Sequence, residues 1–132
     1  MSAPGSELLN KVLLNYAARI GVAAKLERVD RSQLEKLITS LDYVGGQEES
    51  LLVTSAFAMR QAARNELGRT TAQLVGEALE KCNGKAQARA VLGLAKWVFE
   101  SIERIPIQIR LEEVATLSFQ HYLKAVRERQ LA

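Results

Sequence analysis

Apolar residues in this chain recur at three- and four-residue intervals almost from end to end, and strict alternation occurs in one short stretch only. Such spacing puts apolar side chains on one face of a helix, whereas a half-buried strand needs a period of two. Leu9, Leu13, Tyr16 and Ile20 keep the helical interval, with Val12 and Ala17 beside them. Leu34, Leu37, Ile38 and Leu41 keep it next, followed by Leu52, Ala56, Met59, Ala63 and Leu67 with Phe57 adjacent. A fourth stripe is Leu74, Val75, Ala78, Leu79 and Cys82. The stretch Lys85 to Glu103 is the most apolar, carrying Val91, Leu92, Leu94, Ala95, Trp97, Val98, Phe99 and Ile102, the composition expected of a central helix. A last helix, from Leu111 or Glu112 to Arg129, would bury Val114, Ala115, Phe119, Tyr122 and Val126. The expectation is an all-α fold, a compact bundle of five to six helices forming a single helical domain over residues 1–132, a length sufficient for one core.

Local signals suggest where these helices begin and end. Ser6 is an N-cap candidate for the first, which either stops or loosens at Gly21 or continues through Val22 to Leu26. Ser32 and Glu35 have capping-box spacing, and Gly45-Gly46 closes the second helix. Glu48 and Glu49 then fall where the helix dipole favours negative charge, and Gly68 is a natural stop. Thr70 or Thr71 would cap the fourth helix, with Gln73 three residues beyond Thr70, and Asn83-Gly84 would end it. Gly93 would let a neighbouring backbone approach closely. Pro106 forces Ile105 out of helical conformation, and Ile105, Ile107, Ile109 and Leu111 then alternate with polar or cyclic residues. That stretch is a connector or an edge offered to a partner. The connector is favoured, because a lone strand has nothing in the chain to pair with.

Residues for catalysis are scarce. His121 is the only histidine and sits mid-helix with no candidate partner to orient it as a general base. Cys82 is the only cysteine, at a helix C-terminus where the dipole disfavours a thiolate. Glu48-Glu49 and Glu112-Glu113 are accounted for as helix-start charges, and no phosphate loop, nucleophile elbow or zinc-binding pattern is present. The sequence therefore predicts no enzyme, no cofactor and no metal site. A lone cysteine and an N-terminus without the pattern of a signal peptide suggest a cytoplasmic protein. The longest mostly apolar run, Leu51 to Met59, is too short to span a bilayer.

Charge is more informative. The chain carries 18 Lys and Arg against 15 Asp and Glu. Residues 1–57 are net −1, residues 58–98 net +4, and the remainder balances, so the surplus comes from the middle. Arg60 and Arg64 are neighbours on one helix face, and Arg69 precedes the helix that Thr70 and Thr71 begin. Free helix N–H groups, two hydroxyls and an arginine compose a phosphate site. Lys85, Arg89 and Lys96 follow one another along the next helix. The expected interface is therefore Arg60, Arg64, Arg69, Thr70, Lys85, Arg89 and Lys96, contacting a nucleic-acid backbone, RNA or DNA. Three Phe, three Tyr and one Trp, nearly all on apolar stripes, leave few rings for base stacking, and Trp97 is expected in the core. A solvated basic face without a ligand accounts for the same charges.

The stretches Gly68-Arg-Thr-Thr-Ala-Gln-Leu-Val75 and Ala88-Arg-Ala-Val-Leu-Gly-Leu-Ala-Lys-Trp-Val-Phe-Glu100 resemble the small helical subunits of multi-subunit CRISPR effector complexes. Length, helical pattern and basic middle agree with that likeness. It implies a bundle that stacks in several copies along the guide-bearing backbone of a ribonucleoprotein, beside other subunits, contacting single-stranded RNA or DNA through basic faces and with no nuclease activity of its own. No family site residue can be matched to a position here. The alternative is a helical protein–protein interaction module or regulator with no nucleic-acid ligand, using the Ile105–Leu111 stretch and its helix faces.

Overall fold

The stretch expected to form the central helix shares the middle of the bundle with the chain's first helix. A computed structural model describes residues 8–130, the side chain of Gln130 excepted. The helices are α1 (Lys11–Leu26), α2 (Arg31–Ser40), α3 (Gln47–Ala63), α4 (Arg69–Glu80), α5 (Lys85–Ile102) and α6 (Phe119–Gln130), with a short 3-10 helix, Leu111–Thr116, before α6. No strand occurs among the described residues. The fold is all-α and compact, and no described helix is long and apolar enough to cross a membrane.

α5 packs most extensively against α1, with α2, α3 and α4 along its flanks, while α6 and the 3-10 helix cover the remaining side of α1. The α1–α5 contact is close because α1 is small there: Ala17, Ala18, Gly21, Ala23 and Ala24 are all buried. A Cβ on Gly21 would stand 2.5 Å from Val98 Cγ1 and 2.7 Å from the Ala95 carbonyl oxygen. Gly21 thus admits α5, and α1 runs straight through it. Gly93, expected to serve that purpose, has nothing within 4 Å of where its Cβ would stand.

Helix ends are fixed partly by local caps and partly by partners distant in sequence. α1 is capped by Asn10, whose side chain accepts from Leu13 N–H; Ser6, the expected cap, lies outside the described residues. Asp30, not Ser32, caps α2, accepting from Ser32 N–H at 2.8 Å. α3 ends at Ala63, five residues before Gly68, with Asn65 turning the chain at a φ of 61°. Gly68 instead begins α4, and Gly84, at a φ of 98°, begins α5. The α5 N-terminus is satisfied by Gln47, whose Oε1 accepts from Lys85 N–H.

α3 exposes a different face from the one its apolar spacing suggests. Its buried residues are Ser50, Leu51, Thr54, Ala58 and Gln61, whereas Leu52 and Met59 are 66% and 51% exposed. The seam between α3 and α2 is partly polar: Gln61 donates to Gln33 at 2.8 Å, and the Ser40 and Thr54 hydroxyls meet at 2.8 Å. Among the described residues each buried side-chain polar atom has a partner, so their burial carries no unpaired-group penalty. Trp97, expected in the core, is 71% exposed.

The alternating stretch after Pro106 is a connector. Ile109 is buried and Ile105 and Ile107 half-buried, with Pro106, Gln108 and Arg110 outward. The final helix divides in two, since Leu117 is extended (φ −64°, ψ 131°) between the 3-10 helix and α6. Asn15 Oδ1 and Ser118 Oγ then accept from the N–H groups of Phe119 and His121 at the start of α6. Ala115 is exposed rather than buried.

Candidate nucleic-acid interface

Of the seven residues expected to form one basic face, the fold assigns several to other work. The three α5 cations fasten α5 to α2 and the loop after it. Arg89 grips Asp42 with both terminal nitrogens, at 2.8 and 3.3 Å. Lys85 Nζ donates to the Val44 carbonyl at 2.9 Å and lies 3.7 Å from Asp42. Lys96 pairs with Glu35 at 3.3 Å. Arg31 and Glu100 extend the clasp with reversed polarity, at 3.4 Å. The Arg89 hydrogen bond holds the Asp42 carboxyl below its ordinary value of 3.8. Exposed pairs of this kind contribute about 0–1 kcal/mol each. Their larger consequence is that two carboxylates, Asp42 and Glu35, offset most of the positive charge expected along α5.

The expected phosphate site at the start of α4 is also filled. Glu27, just past the end of α1, lays its carboxylate across that helix N-terminus. Its oxygens accept from Thr70 N–H at 3.2 Å, Thr71 N–H at 2.8 Å and the Thr71 hydroxyl at 2.6 Å. The chain thus places its own anion where an external one was expected, as the dipole favours. Thr70 and Thr71 receive a cap instead of supplying one, and Thr70 leaves the candidate interface.

Arg60, Arg64 and Arg69 remain exposed, but they do not form one face. Arg69 lies in the depression between α3 and α4 with Met59 and Ala62. Arg60 lies on the opposite flank of α3, over a groove of about 790 Å³ between α2 and α3. Val53, Phe57 and Arg60 reach it from α3 at i, i+4 and i+7, and Lys36 and Tyr43 from the α2 side. Its floor is apolar, with Phe57 half-buried, and Tyr43 is 80% exposed. Arg60 is held by a hydrogen bond to Gln61 Oε1 at 2.9 Å, and so by the buried Gln61–Gln33 link. Neither Lys36 nor Arg60 forms an ion pair among the described residues, and Asp42 at the rim is neutralised by Arg89 and Lys85.

Sequence reasoning missed Lys36, Tyr43 and Phe57. The available signal was Tyr43 itself, an aromatic beside Gly45-Gly46 and outside every apolar stripe. His121 is exposed; its backbone N–H donates to Ser118 Oγ, and its side chain lies near enough to Glu113 to act on that carboxyl. The Cys82 thiol donates to the Ala78 carbonyl, and burial pushes it up to about 11. No group of residues suited to hold a metal ion occurs among those described.

Compared with known proteins, the chain matches no family model, no curated protein and no solved structure.

Proposed function

We propose that this chain is a non-catalytic, single-stranded nucleic-acid-binding subunit of a larger ribonucleoprotein, with the α2–α3 groove as its strand contact. The observation that carries this reading is the exposed Tyr43 ring on a groove that Phe57 and two cations, Lys36 and Arg60, also line. Proteins that hold single strands without strong sequence preference combine a positive groove with rings on which bases stack. Each stacked base is worth about 1–3 kcal/mol, and each cation gives salt dependence through counterion release. The resemblance to small subunits of CRISPR effector complexes agrees with such a role, and the proposal includes other subunits as partners and a cytoplasmic setting.

Salt-titrated binding of single-stranded RNA and DNA homopolymers tests it. Tyr43→Ala should weaken binding roughly tenfold, the low end of the stacking range. Lys36→Gln with Arg60→Gln should flatten the slope of log affinity against log salt by about 1.4, for two cations on a single strand. Lys96→Gln should leave affinity unchanged. No binding at low salt, or equal loss from Lys96→Gln and Arg60→Gln, overturns the assignment.

A further inference from the structure

The outward face of α3 is self-complementary, and we infer that it is a two-fold contact between two copies of this chain. Leu52, Ala56, Met59 and Ala63 stand at i, i+4, i+7 and i+11 on one exposed line, with small residues where a facing helix would come closest. Charge is divided between the ends of that line: Glu48 and Glu49 at its start, Arg64 and Arg69 at its finish, all four exposed.

Two copies of α3 laid antiparallel over Ala56 bring these ends together. Glu48 precedes Ala56 by the same eight residues by which Arg64 follows it, about 12 Å of helix on either side. At 3.6 residues per turn, Glu49 and Arg64 are displaced from the line toward the α2 side. Glu48 is displaced toward α4, the side on which Arg69 lies beside Met59. A two-fold axis across the helices keeps each side facing its own copy, so Glu49 meets Arg64 of the second molecule, and Glu48 its Arg69. Leu52 of each molecule packs near Met59 of the other. Every contact is made twice, as an isologous interface requires. A parallel arrangement would set like charges together at both ends. Arg60, one turn beyond Ala56, borders both this surface and the groove, but Tyr43 and Lys36 lie outside it; because self-association is read without nucleic acid, this inference can fail without the groove reading.

The full chain should be a monomer–dimer equilibrium by sedimentation, shifting with concentration. Leu52→Glu and Met59→Glu, both on solvent-facing positions, should leave the helical circular dichroism unchanged and give a monomer. Glu48→Lys with Glu49→Lys should also give a monomer, and adding Arg64→Glu and Arg69→Glu in the same chain should restore the dimer. Ala56→Cys in a Cys82→Ser background should form a 56–56 disulfide dimer on mild oxidation, because a residue on a two-fold axis meets itself. A chain that stays monomeric at millimolar concentration overturns the inference, as does an oligomer that yields no 56–56 cross-link or survives Leu52→Glu.

Discussion

Glu27 and Thr71 are 44 residues apart, and one carboxylate oxygen of Glu27 accepts both the Thr71 backbone N–H, at 2.8 Å, and its hydroxyl, at 2.6 Å. This contact ties the end of α1 to the beginning of α4 and satisfies two of the N–H groups that every helix start leaves open. A patch that sequence alone presents as an anion receptor is thereby made part of the fold's internal bonding. The same displacement of roles occurs at α5, where Asp42 and Glu35 absorb the cations expected to face a ligand.

Glu27→Ala should lower stability by about 2 kcal/mol, the range of a lost cap with charge-assisted hydrogen bonds. For a domain of this size that is a melting-point drop of several degrees, roughly 4 °C for each kcal/mol. Added inorganic phosphate should recover part of the loss in Glu27→Ala, because the vacated helix N-terminus regains an anion. A variant melting with the wild type removes the bridge from the account of stability.

Two glycines within helices should respond oppositely to the same change. Gly21→Ala gains roughly 1 kcal/mol of helix propensity but drives a methyl into Val98 and the Ala95 carbonyl, and the collision should prevail by about 1–3 kcal/mol. Gly93→Ala meets open space and should stabilise by about 0.5–1 kcal/mol. Urea midpoints read both; stabilisation by Gly21→Ala would contradict the close α1–α5 approach.

Trp97→Ala should change stability by less than about 0.5 kcal/mol, where a buried tryptophan would cost about 3–5 kcal/mol. As the only tryptophan, Trp97 should also emit at the wavelength of a hydrated indole and be readily quenched by iodide. A blue-shifted, unquenched emission would place the ring in a core it does not occupy here.

The Asp42–Arg89 pair predicts a pH dependence at the acid end. Because Arg89 depresses the folded-state carboxyl, its contribution is present in full above the ordinary value of 3.8. It is lost as pH falls below that and through the depressed folded value. The coupling between Asp42→Asn and Arg89→Met in a double-mutant cycle should therefore be measurable at pH 7 and shrink toward pH 2. Equal coupling at both would show that the carboxylate charge is not what Arg89 holds.

The helices themselves were legible in the sequence because a helix is a local object, and the spacing of Leu13, Ile20, Leu34, Leu37, Val75, Leu79, Val91 and Val98 records a buried face directly. The face of α3 was not legible. Its buried side is built from Ser50, Thr54 and Gln61, whose polarity reads as solvent-facing until Val44, Ser40 and Gln33 supply their partners.

Several caps, and the pairing of the charges, were decided in three dimensions for the same reason. Asn15 serves Phe119 across 104 residues, Gln47 serves Lys85 across 38, and Asp42 takes Arg89 across 47, and no local pattern encodes such pairs. The sequence by itself determined an all-helical chain with a positive middle, because helix periodicity and net charge are sums over neighbouring residues. Which cations stay free, and which ring stands beside them, only tertiary structure decided. Whether a charge is available depends on what folds against it, and here that left Lys36, Arg60 and Tyr43 around one groove.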